Sequence, residues 1–223
     1  MRVFTQIEEL LGKKKFLDSC LEKLKERFNP KKVTFYTVDF INEDKEKCDC
    51  IVIEKNKVLD LIVEDLEKAE SILENLEDKQ IIKKVCDILN QGKLIFDELR
   101  EEELNSLKNY SFLTAKPIVF WQNQDVFSLL KEIFSRTRNI FFFTVNKNEA
   151  RAHLAKEKTT VLEAASKIHT DLARGFIKAE VYNIKDLDKF KNPQDAQQKG
   201  ILKIVDRDYL IEDGDVINIR FKV

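Results

Sequence analysis

Leu59, Ile62, Leu66, Ala69, Leu73 and Leu76 recur at alternating steps of three and four residues. That spacing is a heptad seam, and only a helix puts all six side chains on one stripe. Ile82, Val85 and Leu89 continue it on a second helix, which Gly92 is placed to end. The polar break at Glu77-Asp78-Lys79 lets the two pair as an antiparallel hairpin. Acidic residues outnumber basic ones over Glu54–Lys108, so the hairpin's outer surface should repel nucleic acid. A chain with 35% charged residues and only 5 Gly and 3 Pro in 223 suits long solvated helices of this kind.

The flanking sequence alternates between strand and helix signals. Leu10, Leu11, Leu17, Leu21, Leu24 and Phe28 predict a first helix, which Pro30 ends. Val33–Val38 and Cys50–Ile53 read as strands around the polar turn Asn42–Lys47. Asp97 is placed to cap a short helix running to Leu107. Pro117 opens the apolar strand Ile118–Trp121, Val126–Phe134 carries a helical stripe, and Ile140–Val145 is a strongly apolar strand. Thr160-Val161-Leu162-Glu163 is a capping box. Phe176–Tyr182 alternates, Leu202–Val205 and Tyr209–Ile211 flank the turn Asp206-Arg207-Asp208, and a last strand follows Asp213-Gly214-Asp215. The expected fold class is α+β: a small sheet grasping one helix, the helical hairpin, and a reduced α/β remnant. The corresponding divisions are 139–223, 56–109, and 1–55 with 110–138.

Several function classes are excluded. With 39 basic and 40 acidic residues the net charge is −1, so DNA coating is not expected. No apolar run approaches the ~20 residues of a membrane span, and Met1–Gln6 lacks the apolar run of a signal peptide. A cytoplasmic protein with Cys20, Cys48, Cys50 and Cys86 reduced is expected. Cys48-x-Cys50 is too close for the usual zinc hook, so no metal is expected. His153 and His169 are the only histidines, and neither sits beside a nucleophile in sequence. His153 is expected on an exposed strand and His169 in a turn.

Four ordered motifs point to a family. Ile168-His169-Thr170-Asp171-Leu172, Gly175-Phe176-Ile177-Lys178-Ala179-Glu180-Val181, Asp213-Gly214-Asp215 and Arg220-Phe221-Lys222-Val223 resemble the TGS domain, a β-grasp module, of YchF-type GTPases. Upstream, Asp65-Leu66-Glu67-Lys68-Ala69-Glu70 resembles that family's helical insertion. Leu113-Thr114-Ala115-Lys116-Pro117-Ile118 is similar to the strand leading into its base-recognition motif.

A phosphate loop needs G-x-x-x-x-G-K-[ST], because glycine lets backbone N–H groups approach phosphate and the lysine reaches its oxygens. Ile7–Lys14 keeps Gly12 and Lys13 but has Ile7 for the first glycine, Lys14 for the hydroxyl, and Glu8 and Glu9 nearby. The family's base motif, N-x-x-E, keeps Asn123 but has Val126 in the acidic position and Asp125 one place early. The plain alternative for Gly12-Lys13 is a lysine-rich helix surface. The expectation is therefore a non-catalytic YchF-like protein with no cofactor and no catalytic residue. It would bind RNA, the ribosome or a translation-related protein, without DNA or membrane. Arg151, Lys167, His169, Asp171, Arg174 and Lys178 are the candidate contact residues. Two alternatives stand beside it: a divergent hydrolase of GTP or ATP using Gly12, Lys13 and Asn123, and an adaptor that docks through the acidic hairpin.

Overall fold

The computed structural model describes residues 1–75 and 80–222. Leu76 and the expected hairpin turn at Glu77-Asp78-Lys79 lie outside the described residues, as does Val223. In chain order the elements are β1 (Arg2–Thr5), β2 (Gly12–Lys15), α1 (Ser19–Phe28), β3 (Lys32–Thr34), β4 (Thr37–Ile41) and β5 (Cys50–Ile53). Then come α2 (Val58–Asn75), α3 (Gln80–Asn90), α4 (Ile95–Glu98), α5 (Glu101–Ser106), β6 (Ile118–Phe120) and α6 (Val126–Arg136). The last are β7 (Asn139–Val145), β8 (Glu149–Lys156), α7 (Val161–Ile168), α8 (Thr170–Arg174), β9 (Phe176–Asn183), α9 (Pro193–Gln198), β10 (Lys203–Val205) and β11 (Asp215–Phe221). The fold is a mixture of α and β, organised as two compact units: Met1–Lys14 with Thr37–Thr137, and Lys15–Tyr36 with Arg138–Val223. Residues 15–36 thus leave the N-terminal sequence division and join the C-terminal one.

The first unit is built on a sheet ordered β2-β4-β1-β5-β6. β1 runs parallel to both β4 and β5, and β5 runs parallel to β6. Phe4, Ile51, Ile53 and Ile118 form a buried cluster with Leu61 of α2 and Leu113. A second cluster joins α2 and α3 through Ile62, Ala69, Ile82, Val85 and Leu89, the seam positions picked out in the sequence. The residue that ties the hairpin to the sheet is Asp65. Its buried carboxylate accepts from the N–H groups of Leu113 (2.9 Å) and Thr114 (2.6 Å) and from the Thr114 hydroxyl (2.6 Å). Burial raises its pKa against the pull of those donors.

Several local expectations change. The helix predicted from Leu10 begins only at Ser19, where Asp18 caps it by accepting from Cys20 N–H at 2.8 Å. Gly12 sits at φ +92°, which ends any helical run through Leu10 and Leu11. Gly12 and Lys13 lie on β2, not on a helix. Asp97 caps nothing: Leu94 precedes α4, and Asp97 pairs with Arg136. Tyr209–Ile211 forms only an isolated bridge between Leu210 and Thr160.

The second unit is a sheet ordered β10-β9-β11-β7-β8-β3. The β11–β7 and β3–β8 pairs are parallel and the others antiparallel. α7 lays Val161, Ala164 and Ala165 against Phe142, Ala155, Ala179, Val181 and Ile217. Its start is the predicted capping box: Thr160 Oγ1 accepts from Glu163 N–H, and Glu163 accepts from Thr160 N–H. Phe141 points to the opposite face from Phe142 and stacks on Phe16 at 5.1 Å. The Asp213-Gly214-Asp215 turn closes on β7: Gly214 donates to Phe141 O and Asp213 accepts from Phe141 N–H, both at 2.8 Å.

Replacing Asp65 with alanine strands three buried donors. A loss of about 3 kcal/mol is expected from denaturant unfolding. An unchanged midpoint would show that water replaces the carboxylate without cost.

Candidate functional site

Three parallel strands end side by side in the first unit. β1 runs out at Thr5, where the buried Thr5 hydroxyl accepts from Ile7 N–H at 3.2 Å and turns the chain out of the sheet. β5 ends at Ile53, whose carbonyl accepts from Trp121 N–H at 2.8 Å just past β6. These carboxyl ends surround a cavity of about 410 Å³ lined by Gln6, Ile7, Glu9, Ile53, Glu54, Lys57, Trp121 and Asn123. From β1 the chain reaches β4 on one side and then crosses to β5 on the other. That is a topological switch point, where open parallel sheets leave a crevice for ligands.

The sequence candidates divide sharply around this cavity. Asn123 lines it, held in the left-handed region at φ +57°. Gly12 and Lys13 do not line it; they are exposed on β2 at the sheet's edge. Asp125, one place from the acidic position of a base motif, is committed to the backbone. Its Oδ1 accepts from Phe127 N–H (3.0 Å) and Ser128 N–H (3.1 Å), and Oδ2 accepts from the Ser128 hydroxyl (2.7 Å). Those bonds start α6 and hold the carboxyl below its usual pKa. Lys57, Trp121 and Gln6 were not picked out in the sequence. Their signal, a residue just past the end of a parallel strand, exists only once the strands are known.

In the second unit, His169, Asp171 and Arg174 come together on α8. His169 Nδ1 accepts from Asp171 N–H at 3.2 Å and lies 3.3 Å from Asp171 Oδ2, and Arg174 reaches Asp171 at 4.0 Å. Lys167 is exposed in the last turn of α7, immediately before them. Arg151 is exposed on β8. Lys178 is drawn off elsewhere: its ammonium pairs with Asp206 at 2.9 Å, on the face of β9 opposite Ala179 and Val181. His153 departs from its expected exposure. Its ring stacks on Phe142 (centroids 4.9 Å), Nε2 lies 3.0 Å from Thr144 Oγ1, and burial pushes its pKa from 6.5 to about 4.

A parallel sheet with a cavity at its strand ends, joined to a mixed sheet with a capped helix on one face, defines the class. Comparison with known proteins supplies the family. Residues 140–222 match the model YchF-GTPase_C, described as a protein of unknown function (DUF933). The ribosome-binding ATPase YchF of Mycoplasma genitalium is 32% identical over 160 residues, covering 70% of this chain and 44% of that protein. Bovine Obg-like ATPase 1 is 30% identical over 145 residues, covering 63% of this chain and 36% of that protein. The Schizosaccharomyces pombe YchF GTPase superimposes with a TM-score of 0.79 at 16% identity, over 93% of this chain and 86% of that one. The chain is a relative of the YchF-type GTPases, spanning less than half the length of the Mycoplasma and bovine relatives. The expectation of a non-enzyme is corrected here: the relatives bear the names ATPase and GTPase, so this is an enzyme family. The phosphate-loop test on Gly12 and Lys13 examined residues on an edge strand, away from the cavity. Among the described residues, no helix is long and apolar enough to cross a membrane.

His153 gives this unit a pH dependence. Its native pKa is depressed, so its contribution is complete above pH 6.5 and lost as pH falls towards 4, because the unfolded chain takes up the proton first. Between those limits the native state should lose up to about 3 kcal/mol relative to a His153→Phe variant, read from urea midpoints. Parallel pH profiles for the two proteins would contradict the assignment.

Proposed function

We propose that this chain is a YchF-type, ribosome-associated protein that binds a purine nucleotide, ATP or GTP, at the carboxyl ends of β1, β5 and β6. The observation that carries this reading is the position of Asn123 in a cavity at the switch point of the parallel sheet. The names of the relatives, ribosome-binding ATPase and Obg-like ATPase, support it. Lys57 is the cation lining the cavity and is suited to a phosphate oxygen. The second unit is read as a TGS-like β-grasp domain, on the strength of the four motifs and the matched C-terminal model. Its exposed Lys167, His169 and Arg174 are suited to RNA phosphates or an acidic surface on a translation-related protein. Arg151 extends the positive charge on the same unit.

Calorimetry with ATP and GTP in the presence of Mg²⁺ should give micromolar affinity. Lys57→Ala should weaken it about tenfold, while Lys13→Ala should leave it unchanged. No binding of either nucleotide would overturn the reading, and an effect of Lys13 alone would move the site to β2. In ribosome co-sedimentation, a Lys167→Glu/Arg174→Glu variant should pellet less and respond more weakly to salt. Unaltered pelleting would remove α7–α8 from the docking surface.

A further inference from the structure

The cavity in the first unit has a chemical bias that its position does not require. Two carboxylates, Glu9 and Glu54, line it against one cation, Lys57. A run of three phosphates placed deep among them meets like charge, whereas an uncharged ring does not. The only tryptophan of the chain, Trp121, lines the same cavity. Its backbone is fixed by the 2.8 Å bond to Ile53, and among the described residues no other ring packs against its indole. The side chains of Gln6 and Asn123 also line the cavity, and among the described residues neither makes a hydrogen bond. A flat apolar face beside two uncommitted amides, each able to donate and accept, is the complement of a heteroaromatic ring with polar edges.

We infer that the cavity takes the nucleobase end of its ligand, with Trp121 as the stacking platform and the amides of Gln6 and Asn123 on the ring's edge, leaving the phosphates towards the Lys57 rim. This rests on the proposed nucleotide site and assigns the part of the ligand the cavity recognises. It follows that a nucleoside without phosphate binds here, and that inorganic tripolyphosphate does not displace it. Trp121 is then a built-in reporter, since stacking on a base quenches indole emission.

The experiment titrates the intact chain with adenosine, guanosine, ATP and sodium tripolyphosphate, following Trp121 fluorescence and, in parallel, heat. Saturable quenching by a nucleoside and by ATP, with no effect of tripolyphosphate, is the expected result. Trp121→Leu should weaken nucleoside binding about tenfold by calorimetry, and Trp121→Phe, which keeps an aromatic face, should restore most of it. ATP binding with an affinity unchanged in Trp121→Leu would overturn the stacking role while leaving the nucleotide site standing. Complete competition by tripolyphosphate would overturn the base-first placement. Failure of ATP and both nucleosides to bind the folded wild-type chain would overturn the underlying site as well.

Discussion

Everything proposed for the first unit depends on one strand. Arg2–Thr5 is only four residues long, yet it pairs in parallel with β4 on one side and β5 on the other. Parallel pairing on both sides requires crossovers in both directions, and the point where they diverge opens a crevice at the strands' carboxyl ends. Gln6 and Ile7 line the cavity because β1 ends there. Glu54 and Lys57 line it because β5 stops level with β1, and Trp121 because its N–H bonds to Ile53 O where β5 ends. Asp65 serves the same end from outside the sheet. By holding Leu113 and Thr114 it fixes the approach of the chain to Pro117 and so to β6.

The second unit rests on different physics. Its sheet is mixed, and its motif residues spend most of their chemistry on closure. Asp215 is buried, accepting from Tyr209 O–H, Glu212 N–H and the Asn183 amide, and Gly214 meets Phe141 O. Gly175 has no room for a side chain: a Cβ there would lie 2.1 Å from Lys222 O. What remains exposed is the short α8 with its His169–Asp171–Arg174 contacts and the neighbouring Lys167. That division, buried motif residues for closure and exposed cations for contact, is why a docking role is proposed for this unit and a ligand role for the other.

The legibility of the sequence followed the length and regularity of each signal. The α2–α3 seam, α6, β7 and the Thr160 capping box were readable because each is periodic or carries its own cap. β1 was not: Arg-Val-Phe-Thr is too short to declare a period, and Leu10, Leu11 and Leu17 imitate the helix that starts only at Ser19. Losing β1 hid the cavity, and attention fell on Gly12-Lys13, where a motif fragment survives on an edge strand without the geometry that would use it. His153 was misjudged for a related reason. An alternating strand does not say which face a helix will cover, and Phe142 buries the ring. The transfer of residues 15–36 to the second unit is a tertiary choice that no local pattern announces.

The central claim is that nucleotide binds at the carboxyl ends of β1, β5 and β6. Amide hydrogen exchange of the intact chain with and without ATP tests it most directly. Protection confined to residues 5–9, 53–58 and 120–124, with β2 unchanged, is the predicted result. Protection centred on residues 12–15, or none in the first unit at saturating ATP, would contradict it.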